Sequence, residues 1–164
     1  MKKLLILFLF FTILSCDEDS ILLPKTGHGN CIINDSLYIF DCYFSINNNK
    51  LNMFLDNVNK EGFLRKRIRF AGDCGFNLFG KEDSTKKMFF VTRLSDGDVG
   101  GNFYSIIGTD GFADFVEIIQ CTNDSISGRL QGSFYRDPPD SFKKDTSFPD
   151  TLIIRDGVFK AYVF

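Results

Sequence analysis

The chain has 164 residues, of which 19 are basic and 21 acidic, so its formal net charge is only −2. This mildly acidic balance lacks the excess of Lys and Arg that nucleic-acid binding requires, so no nucleic-acid partner is expected. Phenylalanine occurs 20 times and tryptophan is absent. Phe favours strands and brings large apolar surfaces into a core.

The first fifteen residues have the composition of a secretory signal. Lys2 and Lys3 precede an apolar run at 4–13, and Ser15 stands before Cys16. The run is shorter than the roughly 20 residues that a membrane-spanning helix needs, but its length suits the apolar region of a signal peptide. Residues 1–15 are therefore predicted to be cleaved from the mature protein.

The residues around Cys16 predict a lipid anchor. The segment Ile-Leu-Ser-Cys at 13–16 resembles the lipobox of bacterial lipoproteins, in which the cysteine becomes the new N-terminus and is acylated, for example with palmitate. Attachment through more than one acyl chain holds a protein stably on a membrane. Ordinary secretion with an unmodified Cys16 is the alternative.

Three acids, Asp17, Glu18 and Asp19, follow Cys16 directly. This run resembles the export signal that sends Bacteroidota lipoproteins to the outer face of the cell. The resemblance implies an outer-membrane lipoprotein displayed at the cell surface. The alternatives are a solvated charge run in a flexible tether and a position facing the periplasm.

The mature chain is predicted to hold one domain. Pro24, Gly27 and Gly29 indicate an irregular segment, so residues 16–30 are expected to be a lipidated acidic tether and 31–164 a single β domain. Cleavage removes Lys2 and Lys3 and no acid, which leaves 17 basic residues against 21 acidic ones.

Short apolar runs separated by turn residues predict an all-β fold: an antiparallel sandwich or a partly open barrel of about 9–11 short strands. The predicted strands, in chain order, are 31–33, 37–46, 51–55, 63–70, 76–79, 87–92, 102–107, 114–121, 126–135, 151–155 and 158–164. At most one short helix is expected, within 53–61.

The clearest strand is 126–135, where Ile126, Leu130 and Phe134 share one face with two glycines between them. Asn123-Asp124 predicts a hairpin that joins this strand to the preceding one. A second hairpin is predicted around 155–157, where Asp-Gly separates two apolar runs.

Four cysteines remain after Cys16: Cys31, Cys42, Cys74 and Cys121. In an exported protein they allow two disulfides in three pairings, and buried thiols are the alternative. Their spacing matches neither a zinc site nor a CxxC redox pair, and His28 is the only histidine. No metal and no cofactor are therefore expected.

Arg65, Arg67 and Arg69 alternate along one predicted strand, so their side chains should share a face. Guanidinium groups match carboxylates and sulfates, which makes this basic ladder a candidate ligand-binding site. A solvated face that protects a sheet edge is the alternative. The polar loop at 137–150 is a second candidate for recognition.

Two C-terminal segments and one N-terminal segment suggest a family. The segments ISGRLQGSFY at 126–135 and TLIIRDGVFKAYVF at 151–164 resemble the C-terminal half of an uncharacterised group of Bacteroidota lipoproteins. CIINDSLYIF at 31–40 resembles a divergent copy of its first hairpin, with Asp35 in place of the expected Gly and Tyr38 at an aromatic position. The resemblance implies a β-rich domain of unknown function and supplies no catalytic residues.

Three functions follow from the sequence, in decreasing order of support. The first is a membrane-anchored binding or structural module for a glycan, a peptide or an envelope protein. The second is a small inhibitor of an extracytoplasmic enzyme, with the 137–150 loop presented to its target. The third is a hydrolase with paired carboxylates. Since no spacing favours a catalytic group, the protein is expected not to be an enzyme.

Overall fold

The fold was determined from a computed structural model, which describes residues 25–48, 50–62, 64–79, 87–93, 100–106, 113–137 and 148–164. These residues form strands and no helix, which confirms the all-β prediction. None of them belongs to a helix that could cross a membrane. The strands are β1 (Gly27–Ile33), β2 (Ser36–Asn47), β3 (Lys50–Val58), β4 (Leu64–Gly72), β5 (Gly75–Leu78), β6 (Lys87–Arg93), β7 (Gly100–Ile106), β8 (Phe115–Cys121), β9 (Ser125–Arg136) and β10 (Thr151–Val163).

Eight of these strands close into a barrel, in the order β1, β2, β3, β4, β6, β7, β9 and β10. Their pairings are antiparallel, and one short parallel contact joins β10 to β2. One edge of β9 pairs with two strands. Its last residues pair with β7, and its first half pairs with β8, whose other edge pairs with β5. Of the two predicted architectures, the chain adopts the barrel.

The directions of the strands define two ends of the barrel. At the near end, β1 enters the wall, β10 finishes, and short turns join β2 to β3 and β8 to β9. At the far end, a tight turn joins β1 to β2, the strands β3, β6 and β9 finish, and β4, β7 and β10 begin. Of the segments between these strands, 137–150 is the longest in sequence, and its described ends, Asp137 and residues 148–150, lie at the far end.

Alternation along the strands fills the barrel with side chains. Ile126, Leu130 and Phe134 all face inward and are buried, as the predicted face of β9 requires. An eight-stranded barrel has an interior just wide enough for its own side chains. Phenylalanine supplies most of the bulk here; the fully buried Phe residues are Phe40, Phe44, Phe70, Phe90 and Phe134.

The domain begins earlier than predicted, because β1 starts at Gly27 and not at Cys31. Gly27 and Gly29, which predict an irregular segment from sequence, lie where β1 passes between β10 and β2. A Cβ atom at Gly27 would lie 1.9 Å from the carbonyl oxygen of Lys160, and one at Gly29 would lie 2.8 Å from the sulfur of Cys42. Glycine at these positions is required by close backbone approach, which a strand tolerates.

One further local prediction is wrong, and the allowance for one short helix is not used. β10 runs without interruption through 155–157, where a hairpin was predicted; its register to β9 shifts between Ile154 and Gly157, and Asp156 takes a φ of 51°. The Asp-Gly pair therefore forms a bulge within one strand. β3 continues to Val58, so the segment that allowed a short helix is mostly strand. The hairpin at Asn123-Asp124 is present as predicted.

The four cysteines divide between the two possibilities that the sequence left open. Cys74 and Cys121 are bonded, with their Cα atoms 6.2 Å apart, and they link the start of β5 to the end of β8. Cys31 and Cys42 are buried free thiols. They cannot face each other across the sheet, because Cys31 is opposite Tyr38 and Cys42 is opposite Gly27.

Candidate binding site at the far end of the barrel

The predicted basic ladder lies on the outer wall of the barrel, but its central arginine is already occupied. Arg67 binds the Asp56 carboxylate through Nε at 2.6 Å and Nη2 at 2.5 Å, and Nη2 also donates to Tyr43 Oη at 2.8 Å. Tyr43 Oη in turn donates to Asp56 at 2.6 Å. This bidentate pair uses the guanidinium fork that a ligand would need.

The electrostatics of this cluster follow from its contacts. The hydrogen bond with Asp56 raises the pKa of Arg67. Burial, followed by the hydrogen bond to Asp56, raises the pKa of Tyr43 to about 12. Both groups therefore keep their protons throughout the neutral range, and the cluster stays an uninterrupted ion pair.

The other two arginines of the ladder differ in exposure. Arg69 is exposed, with its guanidinium 5.5 Å from the centre of the Phe54 ring. Arg65 is half-buried, and its Nη2 lies 4.0 Å from the Glu61 carboxylate. The structure thus places all three arginines on one face, while their role in ligand binding stays a prediction.

A second basic cluster, absent from the sequence predictions, lies inside the far end. We call it the far mouth: Tyr38, Lys66, Tyr104, Arg136 and Phe148. Arg136 is only 7% exposed because it follows Phe134 on the inward face of β9. Lys66 also points inward, with its Nζ 4.7 Å from the centre of the Tyr38 ring and 5.2 Å from that of Phe148.

Arg136 fastens the end of the long connection. Its Nη2 donates to the carbonyl oxygen of Phe148, and its Nη1 lies 3.2 Å from an Asp150 carboxylate oxygen. Its backbone N–H donates to Asp150 O at 2.8 Å, and Tyr104 Oη donates to Pro149 O at 3.0 Å. Residues 148–150 are thereby held across the far mouth.

The guanidinium of Arg136 is incompletely satisfied. Among the residues that the structure describes, its buried Nε has no hydrogen-bond acceptor, and its Nη1 meets Asp150 as an ion pair only. A buried donor without a partner is costly and uncommon in native proteins. The far mouth therefore combines two inward-facing cations with three aromatic rings, a set that suits an anionic or aromatic group of a ligand.

A shallow groove of about 350 Å³ lies on the outer wall over β1. Ile39 forms part of its lining and is 67% exposed, and the neighbouring Leu37 is 68% exposed. His28 was predicted to lie in a tether, whereas it lies on the outer face of β1. The lining residues are His28, Gly29, Asn30, Ile39, Val158, Phe159 and Lys160.

The hypothesis of a hydrolase with paired carboxylates stays a prediction. Asp41 and Asp56 are opposite each other on β2 and β3, but Asp56 is bound by Arg67. The buried Asp114 carboxylate accepts hydrogen bonds from the backbone and hydroxyl of Ser133. Within the described ranges, no three His, Cys, Asp or Glu side chains are arranged to hold a metal ion.

The predictions for Cys16, Asp17, Glu18 and Asp19 lie outside the described residues. No protein-family model, no curated protein and no solved structure matches the chain.

Proposed function

We propose that the protein is a lipid-anchored outer-membrane protein, displayed at the cell surface, that acts as a binding module through the far mouth. One observation carries this proposal: the chain enters β1 at the near end, while the basic far mouth lies at the opposite end. An anchor at Cys16 would therefore leave the far end of the barrel turned toward a partner.

The filled interior restricts where a partner can bind. The centre of the barrel is occupied by its own Phe side chains, so a ligand would contact an end or the outer wall. Of the partner classes that the sequence suggests, an envelope protein or a glycan with acidic groups fits the cations Lys66 and Arg136.

Two features support a position outside the cytoplasm. The disulfide joins Cys74 and Cys121, both of which are exposed, and an exposed disulfide persists in an oxidising compartment. The second is the predicted signal sequence at 1–15, directly before Cys16. Membership of the uncharacterised Bacteroidota lipoprotein group is part of the same proposal and rests on the segments at 31–40, 126–135 and 151–164.

The anchor is tested by Cys16→Ser in the native host. The variant should leave the membrane fraction after a wash at alkaline pH, whereas Ser15→Ala, which keeps the cysteine, should stay. Retention of Cys16→Ser after the wash would overturn lipid anchoring. Replacing Asp17, Glu18 and Asp19 by Asn, Gln and Asn should preserve membrane attachment but abolish cleavage by protease added to intact cells.

Binding through the far mouth is tested on arrays of acidic and neutral glycans and on isolated envelope proteins. A partner bound by the wild type should bind Lys66→Ala at least several-fold more weakly, because a contacting cation is lost. Lys87→Ala removes an exposed cation at the near end of β6, outside the basic ladder, and should bind like the wild type. Equal loss in both variants would argue against the far mouth.

A second candidate function, inhibition of an extracytoplasmic enzyme, is favoured by one observation. Both ends of the 137–150 connection are fixed to the barrel, at Asp137 through the carbonyl of Phe103 and at Asp150 through the backbone of Arg136. Inhibitors present a loop held on a rigid scaffold in this way. Assays with lysozymes and serine proteases separate the two candidates, because a binding module leaves their rates unchanged.

A further inference from the structure

The near end carries an exposed apolar rim, which we define as Ile46, Val163 and Phe164. These side chains are 54%, 46% and 84% exposed. They lie on neighbouring strand ends, because Val163 pairs with Phe44, two residues from Ile46, and the backbone N–H of Phe164 donates to Phe44 O at 2.9 Å. The Phe164 ring lies 5.5 Å from the Tyr43 ring, between centroids, and stays mostly in water. Large apolar groups that remain in water together mark a contact surface.

The N-terminal segment leaves the barrel beside this rim. Gly27 is opposite Cys42, and immediately beyond it β1 gives way to direct pairing of β10 with β2 at Tyr43 and Phe44. The chain upstream of Gly27 therefore departs from the wall at the residues that carry the rim.

The chain between this point and Cys16 is short. Eight residues, 17–24, separate Cys16 from Lys25. Even fully extended, such a segment spans at most about 30 Å. A lipid on Cys16 would hold the near end within that distance of the bilayer, and the far mouth beyond it.

The side chains around the rim match a membrane interface. Tyr162 is flanked by Lys25 and Lys160, whose Nζ atoms lie 5.8 Å and 5.6 Å from the centre of its ring. Tyrosine and lysine are the residues that sit at the level of lipid headgroups while apolar neighbours enter the acyl region. At the same end, Lys50 pairs with Asp73 at 3.1 Å, and Lys87 and Asp124 are exposed.

We propose that the near-end rim rests on the lipid bilayer and inserts Phe164 into its interface, as a second contact beside the lipid on Cys16. This proposal rests on the membrane anchoring proposed above. It fixes the orientation of the barrel, with the far mouth turned away from the membrane.

The absence of tryptophan provides a sensitive test. In the mature chain 16–164 with Cys16→Ser, which carries no lipid, Phe164→Trp introduces a single reporter at the rim. Leu37→Trp is the matched control, because Leu37 is 68% exposed and belongs to the far half of β2. The probe is a vesicle of phosphatidylethanolamine with about one quarter phosphatidylglycerol.

The indole emission of the Phe164→Trp variant should shift to shorter wavelength on addition of vesicles and be quenched by brominated lipid. The emission of the Leu37→Trp variant should stay unchanged. Vesicle sedimentation supplies a second readout: Phe164→Ser should weaken binding about tenfold, the effect of losing one large buried apolar side chain, and Leu37→Ser should not. No emission shift in Phe164→Trp, or equal effects at both positions, would overturn the proposal.

These outcomes are separate from those for the anchor. Because the vesicle experiment uses the chain without lipid, it reports on the rim alone, whereas the alkaline wash of cell membranes reports on the lipid alone. Release of Cys16→Ser from cells by the wash, together with quenched emission of the Phe164→Trp variant on vesicles, would support both proposals.

Discussion

The near and far ends of the barrel are closed by different means. At the near end, glycines let β1 fit between β10 and β2, a disulfide links β5 to β8, and the exposed rim is apolar. At the far end, Arg136 and Tyr104 hold residues 148–150 over an interior that carries charge. Close packing and covalent bonding suit attachment, whereas polar contacts that can be exchanged suit recognition.

The largest effect is expected from Gly27→Ala at the near end. The new Cβ would meet the backbone oxygen of Lys160 at 1.9 Å, which only a displacement of β1 can relieve. We expect a loss of more than about 4 kcal/mol in the free energy of unfolding, measured by urea denaturation. Gly62→Ala at the far end is the control, with open space around it and a φ of +84°, and should cost about 1 kcal/mol. Similar losses of unfolding free energy in the two variants would contradict the close approach of Gly27 to the backbone of Lys160.

The disulfide should contribute nearly as much. Replacing Cys74 and Cys121 by serine removes a cross-link between residues 47 apart in sequence, which corresponds to about 4 kcal/mol of unfolding free energy. Urea denaturation of the variant and of the reduced wild type should give the same value. A double variant as stable as the oxidised wild type would show that this bond does not hold the near end.

At the far end, Arg136→Met should lower the unfolding free energy by about 2 kcal/mol, because the Phe148 carbonyl and Asp150 lose their partner. Trypsin should then cut within 137–150 faster than in the wild type. Arg69→Met, which changes an exposed arginine on the wall, should cost less than about 0.5 kcal/mol. Unchanged proteolysis in Arg136→Met would mean that residues 148–150 are held by other contacts.

The smallest effect concerns the two buried thiols. Burial raises the pKa of Cys31 and of Cys42 from 9.0 to about 12. Between these values the unfolded chain has lost the thiol proton and the folded chain keeps it, so stability is complete below pH 9 and falls as the pH rises toward 12. At pH 10 each thiol should cost about 1.4 kcal/mol relative to pH 8. Urea denaturation at both pH values measures the loss that the two thiols cause together, and Cys42→Ala should halve it. The same loss in Cys42→Ala as in the wild type would contradict the raised pKa of Cys42.

Most strand positions could be predicted, because alternation of apolar and polar residues has the period of a strand. The failures occurred at glycines. Gly27 and Gly29 carry no side chain to reveal an inward face, and Asp156-Gly157 suits a turn and a bulge equally well. Only the pairing of distant strands distinguishes these cases, and a local pattern does not contain it.

At the candidate site, too, the sequence predicts features set within one strand and misses those that depend on a neighbouring strand. The common face of Arg65, Arg67 and Arg69 followed from spacing alone. The ion pair of Arg67 with Asp56 did not follow from spacing, because Asp56 lies on a neighbouring strand. The inward position of Arg136 follows from the sequence, since this residue continues the alternation of Ile126, Leu130 and Phe134. The predicted strand ends at 135 because Asp137 and two prolines follow.

The position of β1 also determines how the molecule would respond to a pull on the proposed lipid anchor. Force on the N-terminal segment would act along β1, which pairs with β2 at seven positions and with β10 at five. These hydrogen bonds lie across the direction of the pull, so many must be sheared together before the strand moves. In flowing liquid, the drag on the barrel would thus be carried by the strand that is held on both of its edges.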